Sequence, residues 1–215
     1  MDALVFDMDG VVVDSEDYWH RAEREALLPR VLDGEGPGLD EITGMPYREI
    51  YDYLDENYET QISKAEFVDL YDDTAAGIYR ERVALLDCFA EIRESTRDAG
   101  VPVALVSSSP TTWMEYVLDR FDLEFDLTLS NDGVDGPGKP EADIYDAATD
   151  RLGVDPGDCV AVEDSRNGTL AAERAGMTVV GYRVEHNAET DLSACDVVCD
   201  GSEELRGELL GRVEQ

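Results

Sequence analysis

The chain has 215 residues, 43% of them hydrophobic, which suffices for one large domain or for a domain carrying a second, smaller one. Its 51 acidic against 17 basic residues give a formal charge of −34. Such a surface repels nucleic acid and anionic membranes and argues against either as a partner.

The first apolar run, Leu4-Val5-Phe6, reads as a short strand that ends at Asp7. Asp9 follows two residues later, and Gly10 lets the chain turn so that Asp9 comes back over Asp7. Two carboxylates that close require a cation, a shared proton or a division of labour. Asp17 to Leu32 has helical spacing, with Trp19, Ala22, Ala26 and Leu27 on one face. The run Gly34-Glu35-Gly36-Pro37-Gly38 breaks it. A helix from about Pro46 to Tyr58 follows. Ser63-Lys64-Ala65-Glu66 is a capping box that opens a long helix with Phe67, Leu70, Tyr71, Ala75 and Ile78 inward. Residues 15–84 therefore read as an all-helical block.

From Asp87 the pattern alternates. A helix ends at Gly100, and the run Val103 to Val106 reaches Ser107-Ser108-Ser109. A helix over Thr111–Phe121 and a strand ending near Leu129 come next. The glycine-rich loop 132–139 leads to a helix from about Glu141 to Leu152. The stretch Asn131-Asp132-Gly133-Val134-Asp135-Gly136 is similar to a calcium loop but lacks the acidic spacing and closing glutamate of an EF-hand. Val160–Val162 is a buried strand running into Glu163-Asp164-Ser165, and a helix follows to Gly176. Thr178–Tyr182 and Val197–Val198 read as outer strands, and Ser202 caps a last helix. Repeated strand–helix units predict an α/β fold, a doubly wound parallel sheet interrupted by the helical insertion.

Ligands of open parallel sheets bind beyond the carboxyl ends of the strands. The residues that end these strands are Asp7, Asp9, Ser107, Glu163 and Asp164, and Lys139 enters from the glycine-rich loop. Clustered carboxylates suit a hard, oxygen-seeking cation such as Mg²⁺. A hydroxyl, an ammonium and exposed backbone N–H groups suit a phosphate. Each has an ordinary reading too, since Ser107 can be a turn residue and Asp164 a helix cap. Lysine at 139 in a chain that otherwise favours arginine argues for a compact point charge at that place. His20 and His186 are read as ordinary surface or core residues.

Four stretches in order resemble the motifs of the haloacid dehalogenase superfamily: Asp7-Met8-Asp9-Gly10-Val11, Val106-Ser107-Ser108-Ser109, Gly138-Lys139-Pro140-Glu141 and Val162-Glu163-Asp164-Ser165. The resemblance implies a Rossmann-like catalytic core over 1–14 and 85–215 with a helical cap domain over 15–84. It makes Asp7 the nucleophile that forms an aspartyl-phosphate and Asp9 the acid and base. It places Gly10, Ser107, Ser108 and Lys139 at the phosphate. It gives Mg²⁺ to Asp7, the Asp9 carbonyl and Asp164, with Glu163 as a direct or water-mediated ligand. Gly44-Met45-Pro46-Tyr47-Arg48 is similar to the family's substrate-contacting cap loop, which makes Arg48 a candidate for a second anionic group.

The branch implied is that of phosphoglycolate phosphatase and β-phosphoglucomutase. Aspartate at position 9 resembles phosphatases and phosphomutases and disfavours dehalogenation. Trp19 stands where the mutase has its hinge histidine, and Pro110 where it has a cation. Both tilt the expectation towards Mg²⁺-dependent hydrolysis of a small phosphorylated metabolite, with a phosphomutase and a non-catalytic binding protein as alternatives. None of the four cysteines pair as Cys-x-x-Cys, and buried free thiols rather than a zinc site are the expectation. No basic leader and no spanning apolar stretch is visible, so the expected setting is cytoplasmic, as monomer or weak dimer. The acidic, lysine-poor composition matches the proteome style of halophiles, in which salt screens self-repulsion and the Debye length is about 3 Å at molar ionic strength.

Overall fold

The computed structural model describes residues 1–42 and 45–214. In chain order its elements are β1 (Ala3–Phe6), α1 (Glu16–Ala22), a π-helical segment (Glu23–Leu27), α2 (Leu28–Val31), α3 (Leu39–Ile42), α4 (Tyr47–Asn57) and α5 (Lys64–Glu81). There follow α6 (Phe89–Ala99), β2 (Val103–Ser107), α7 (Thr111–Phe121), β3 (Leu127–Ser130), α8 (Asp143–Leu152) and β4 (Cys159–Glu163). The last are α9 (Arg166–Arg174), β5 (Thr178–Arg183), β6 (Val197–Asp200) and α10 (Ser202–Val213). The chain divides into two compact units, Met1–Asp14 with Ala84–Gln215, and Ser15–Val83.

The first unit is built on a six-stranded sheet in the order β3-β2-β1-β4-β5-β6, with every pairing parallel. Parallel strands buried on both faces read as continuous apolar runs, and β1, β2 and β4 are buried at every position. Side chains alternate across the sheet. Ala3, Val5, Ala104, Val106 and Ala161 face Ile144, Tyr145 and Ala148 of α8 and Ala171 and Ala172 of α9. On the other face Phe6 meets Phe89 of α6 edge-on at 5.7 Å. The strand order reverses where β1 lies between β2 and β4, and at such a switch point the connections diverge and leave a crevice. β5 is internal and only β6 forms that edge, so of the two outer strands expected from sequence one is covered on both sides.

The second unit is helical. The capping box forms as its residues dictate: the Glu66 amide donates to the Ser63 hydroxyl, and the Ser63 amide to the Glu66 carboxylate at 2.9 Å. Phe67, Tyr71, Ala75 and Ile78 are buried as expected, while Leu70 is half-buried. The helix expected from Asp17 to Leu32 departs from a regular α spiral. Its π-helical turn admits an extra residue and shifts the inward face, so Glu23 and Leu27 are buried and Ala26 is exposed. Trp19 stacks on Tyr71 at 5.7 Å, and its indole N–H donates to the Tyr79 hydroxyl at 3.0 Å. At the far end Gly201, not Ser202, caps α10.

Candidate active site

Asp7, Ser107, Glu163 and Asp164 are placed by strand ends. β1 stops at Phe6, the Asp7 amide still donates to the Val162 carbonyl of β4, and the Asp7 carboxylate is thereby held beside the end of β4. β4 itself ends at Glu163, with Asp164 next. Gly10 has φ +76°, and its amide is spent on the Val13 carbonyl at 2.8 Å. Gly10 therefore contributes the turn and the empty space above it rather than a free N–H. A Cβ there would stand 2.1 Å from Asp164 Oδ2.

Lys139 is the hub. Its Nζ lies 2.5 Å from Asp7 Oδ1 and 2.5 Å from Glu163 Oε1, and 5.3 Å from the centre of the Tyr145 ring. Tyr145, on α8, donates its hydroxyl to the same Glu163 oxygen at 2.6 Å. Glu163 is fully buried, and Gly168 makes that possible: a Cβ on Gly168 would fall 2.0 Å from the Glu163 carboxyl. Asp9 points the other way. Ser109 donates to Asp9 Oδ2 at 2.7 Å, Ser107 Oγ is 3.5 Å from that oxygen, and Ser130 ties down the Ser109 carbonyl at 2.7 Å. Ser108, between them, is exposed.

Burial pushes Asp7 well above the usual carboxylate range; Lys139 opposes this, and Glu163, Asp164 and Asp9 add to it. Burial and Glu163 raise Asp164 in the same way, against Lys139. Burial works against the Lys139 ammonium, but Asp7, Glu163 and Tyr145 outweigh it and hold the pKa well above the ordinary lysine value. One ammonium thus faces three buried carboxylates whose ligand atoms all lie within 4.8 Å of one another: Asp7, Glu163 and Asp164. That donor set is all hard oxygen and short of positive charge, which fits a divalent cation of the Mg²⁺ kind. The Asp9 side chain, engaged with the serines, is not part of the triad.

Four residues at this centre have no role in the sequence reading: Tyr145, Ser109, His186 and Asn187. Ser109 was visible as the third member of Ser107-Ser108-Ser109. His186, read as ordinary, lies with Nε2 3.2 Å from Asp164 Oδ2. Asn187 donates to the Asp164 carbonyl at 2.9 Å. Arg48 belongs to the other compact unit, exposed in the first turn of α4 with its guanidinium 4.9 Å from the Tyr47 ring centre. Gly44 of the expected cap loop lies outside the described residues. All four cysteines are free, three of them buried. No helix among the described residues is long and apolar enough to cross a membrane.

Fold and site together define a doubly wound α/β enzyme domain with a buried acidic centre bridged by one lysine. The sequence matches the family of haloacid dehalogenase-like hydrolases over residues 1–176, and the chain belongs to that family. It is 33% identical over 180 residues to hexitol phosphatase B of Escherichia coli K12, covering 81% of this chain and 80% of that protein. It is 32% identical over 194 residues to a phosphorylated carbohydrates phosphatase of Thermotoga maritima, covering 87% of each. In structure it resembles the β-phosphoglucomutase of Clostridium difficile with a TM-score of 0.81, 21% identity, and coverage of 100% and 97%.

Proposed function

We propose that this hydrolase is a phosphatase that cleaves phosphomonoesters of small phosphorylated metabolites, of the sugar phosphate or phosphoglycolate type, through an aspartyl-phosphate on Asp7. The observation that carries the reading is the junction of Asp7, Lys139, Glu163 and Asp164 at the switch point, with Asp9 held one turn away. The likeness to a hexitol phosphatase and a phosphorylated carbohydrates phosphatase supports the substrate class.

Asp7 attacks phosphorus while the bond from phosphorus to the leaving oxygen breaks, and Asp9 delivers its proton to that oxygen. Asp9 then takes a proton from water as the water oxygen attacks phosphorus and the bond to Asp7 breaks. Ser109 holds Asp9 at the end of β2, apart from the Asp7–Lys139–Glu163 junction. Lys139 offsets the repulsion between the Asp7 carboxylate and the phosphoryl oxygens, and Ser107 and Ser108 are their proposed donors. Asp7, Asp164, the Asp9 carbonyl and Glu163, directly or through water, would hold Mg²⁺, which supplies charge neutralisation and orientation of the phosphoryl group. Glu163 is already committed to Lys139, Tyr145 and Ser165 through its two oxygens. That commitment supports the water-mediated role. Arg48 remains the proposed contact for a second anionic group, with the Ser15–Val83 unit as the cap domain. A cytoplasmic, salt-rich setting suits the charge of −34.

The test is phosphate release from a panel of sugar phosphates and phosphoglycolate, with Mg²⁺ and high KCl. Asp7→Asn should reduce kcat by about 10⁴-fold or more with folding intact. An Asp7→Asn enzyme as active as wild type, or no turnover of any compound by wild type, would refute the reading. Interconversion of sugar phosphates with little free phosphate would establish the mutase instead.

A further inference from the structure

The loop after β5 reaches the site in a way that neither the motifs nor the catalytic scheme uses. Asn187 is buried and spans it: its side-chain amide donates to the Asp164 carbonyl at 2.9 Å and to the Tyr182 carbonyl at 2.8 Å. Its Oδ1 accepts from the Val184 amide at 2.7 Å, closing the turn that contains Glu185 and His186. The turn is thereby anchored to Asp164, and His186 is delivered against the Asp164 carboxylate. His186 Nε2 lies 3.2 Å from Oδ2, with the two side chains 12% and 6% exposed. The absent Cβ of Gly10 would stand 2.1 Å from that oxygen and 3.2 Å from His186 Nε2. Asp164 Oδ2 is therefore enclosed by the Gly10 turn and the imidazole.

We infer that His186 is a positioning residue that fixes the orientation of Asp164 and so sets the affinity of the acidic centre for its divalent cation. A carboxylate free to rotate about Cβ–Cγ loses orientational entropy when it binds a metal ion. One held through an oxygen by an N–H donor, and through its own backbone carbonyl by Asn187, has been ordered beforehand. Partners that hold a metal-binding carboxylate typically alter metal affinity or activity by about 10–100-fold when removed. The donor role requires the Nε2–H form of the ring, which leaves Nδ1 without a proton in the neutral imidazole.

This inference rests on the proposed metal site, and the experiment separates the two. Mg²⁺ is titrated calorimetrically into the intact protein at fixed KCl, without substrate. His186→Ala should weaken Mg²⁺ binding by about 10-fold, and His186→Phe, which fills the space without a donor, should do the same. His186→Gln, which restores an N–H at comparable reach, should recover most of the affinity. At saturating Mg²⁺ the KM for substrate should stay unchanged in all three. Mg²⁺ affinity within twofold of wild type in His186→Ala or His186→Phe would overturn the inference while leaving the metal site standing. So would a His186→Gln protein as weak as the alanine variant. Absence of Mg²⁺ uptake by the wild type would overturn the metal site itself and the inference with it.

Discussion

Replacing Glu23 with glutamine isolates one buried carboxyl whose cost to the fold follows from its surroundings. Glu23 is 8% exposed in the helical unit, and its carboxylate accepts from the Tyr71 hydroxyl at a long 3.4 Å. Tyr71 is itself packed between Phe67 at 4.4 Å and Trp19 at 5.7 Å. Burial pushes the Glu23 carboxyl from 4.5 up to about 7, with the Tyr71 hydrogen bond opposing. Because the folded pKa is the higher one, the native state keeps a proton that the unfolded chain has released. Stability therefore falls as pH rises from about 4.5 to about 7. At 1.36 kcal/mol per pH unit the loss amounts to about 3 kcal/mol once pH exceeds both values. Glutamine matches the neutral acid in size and carries no charge to bury. Glu23→Gln should therefore melt with wild type near pH 4 and above it at pH 8, by roughly 6–12 °C for a chain of this size. The measurement is thermal unfolding by circular dichroism from pH 4 to 8 in 2 M KCl, where surface charges are screened and a buried group is not. Parallel curves for the two proteins across that range would refute the reasoning.

Two further predictions concern the site and the surface. Gly168→Ala should destabilise by about 1–3 kcal/mol, because its Cβ would strike the Glu163 carboxyl at 2.0 Å and Glu163 is pinned by Lys139 and Tyr145. Helix propensity alone predicts the opposite sign by about 1 kcal/mol, so a stabilised variant in urea unfolding would show that Glu163 can move aside. Raising KCl from 0.1 to 2 M should increase the melting temperature steadily, since −34 charges repel one another in the native state. A flat or falling curve would show that the acidic surface does not govern stability.

Features written in neighbouring residues are realised in the fold as read. The Ser63–Glu66 capping box forms, Gly100 takes the left-handed conformation that ends α6, and α7 spans Thr111–Phe121. The strand ends are legible for the same reason. An apolar run with a polar residue after it places that residue at the carboxyl end of its strand, and Asp7, Ser107, Glu163 and Asp164 all lie there. What escaped the sequence depends on distant residues. The inward turn of Glu23 comes from a π-helical shift that hydrophobic spacing does not announce. Tyr145 reaches Glu163 across 18 residues, and His186 reaches Asp164 across 22.

By itself the sequence determined the alternating strand–helix order, the helical insertion and the set of carboxylates, lysine and serines that end the strands. Those depend on local propensity and on the period of buried side chains. Only the tertiary structure decided how the set is divided: Lys139 binds Asp7 and Glu163, while Ser109 draws Asp9 away. It also decided that a histidine read as ordinary closes over Asp164. Such pairings follow from the strand order that sets β1 beside β4, and from loops that cross no local pattern. Charge balance at the centre is a property of that assembly and of no single stretch of chain.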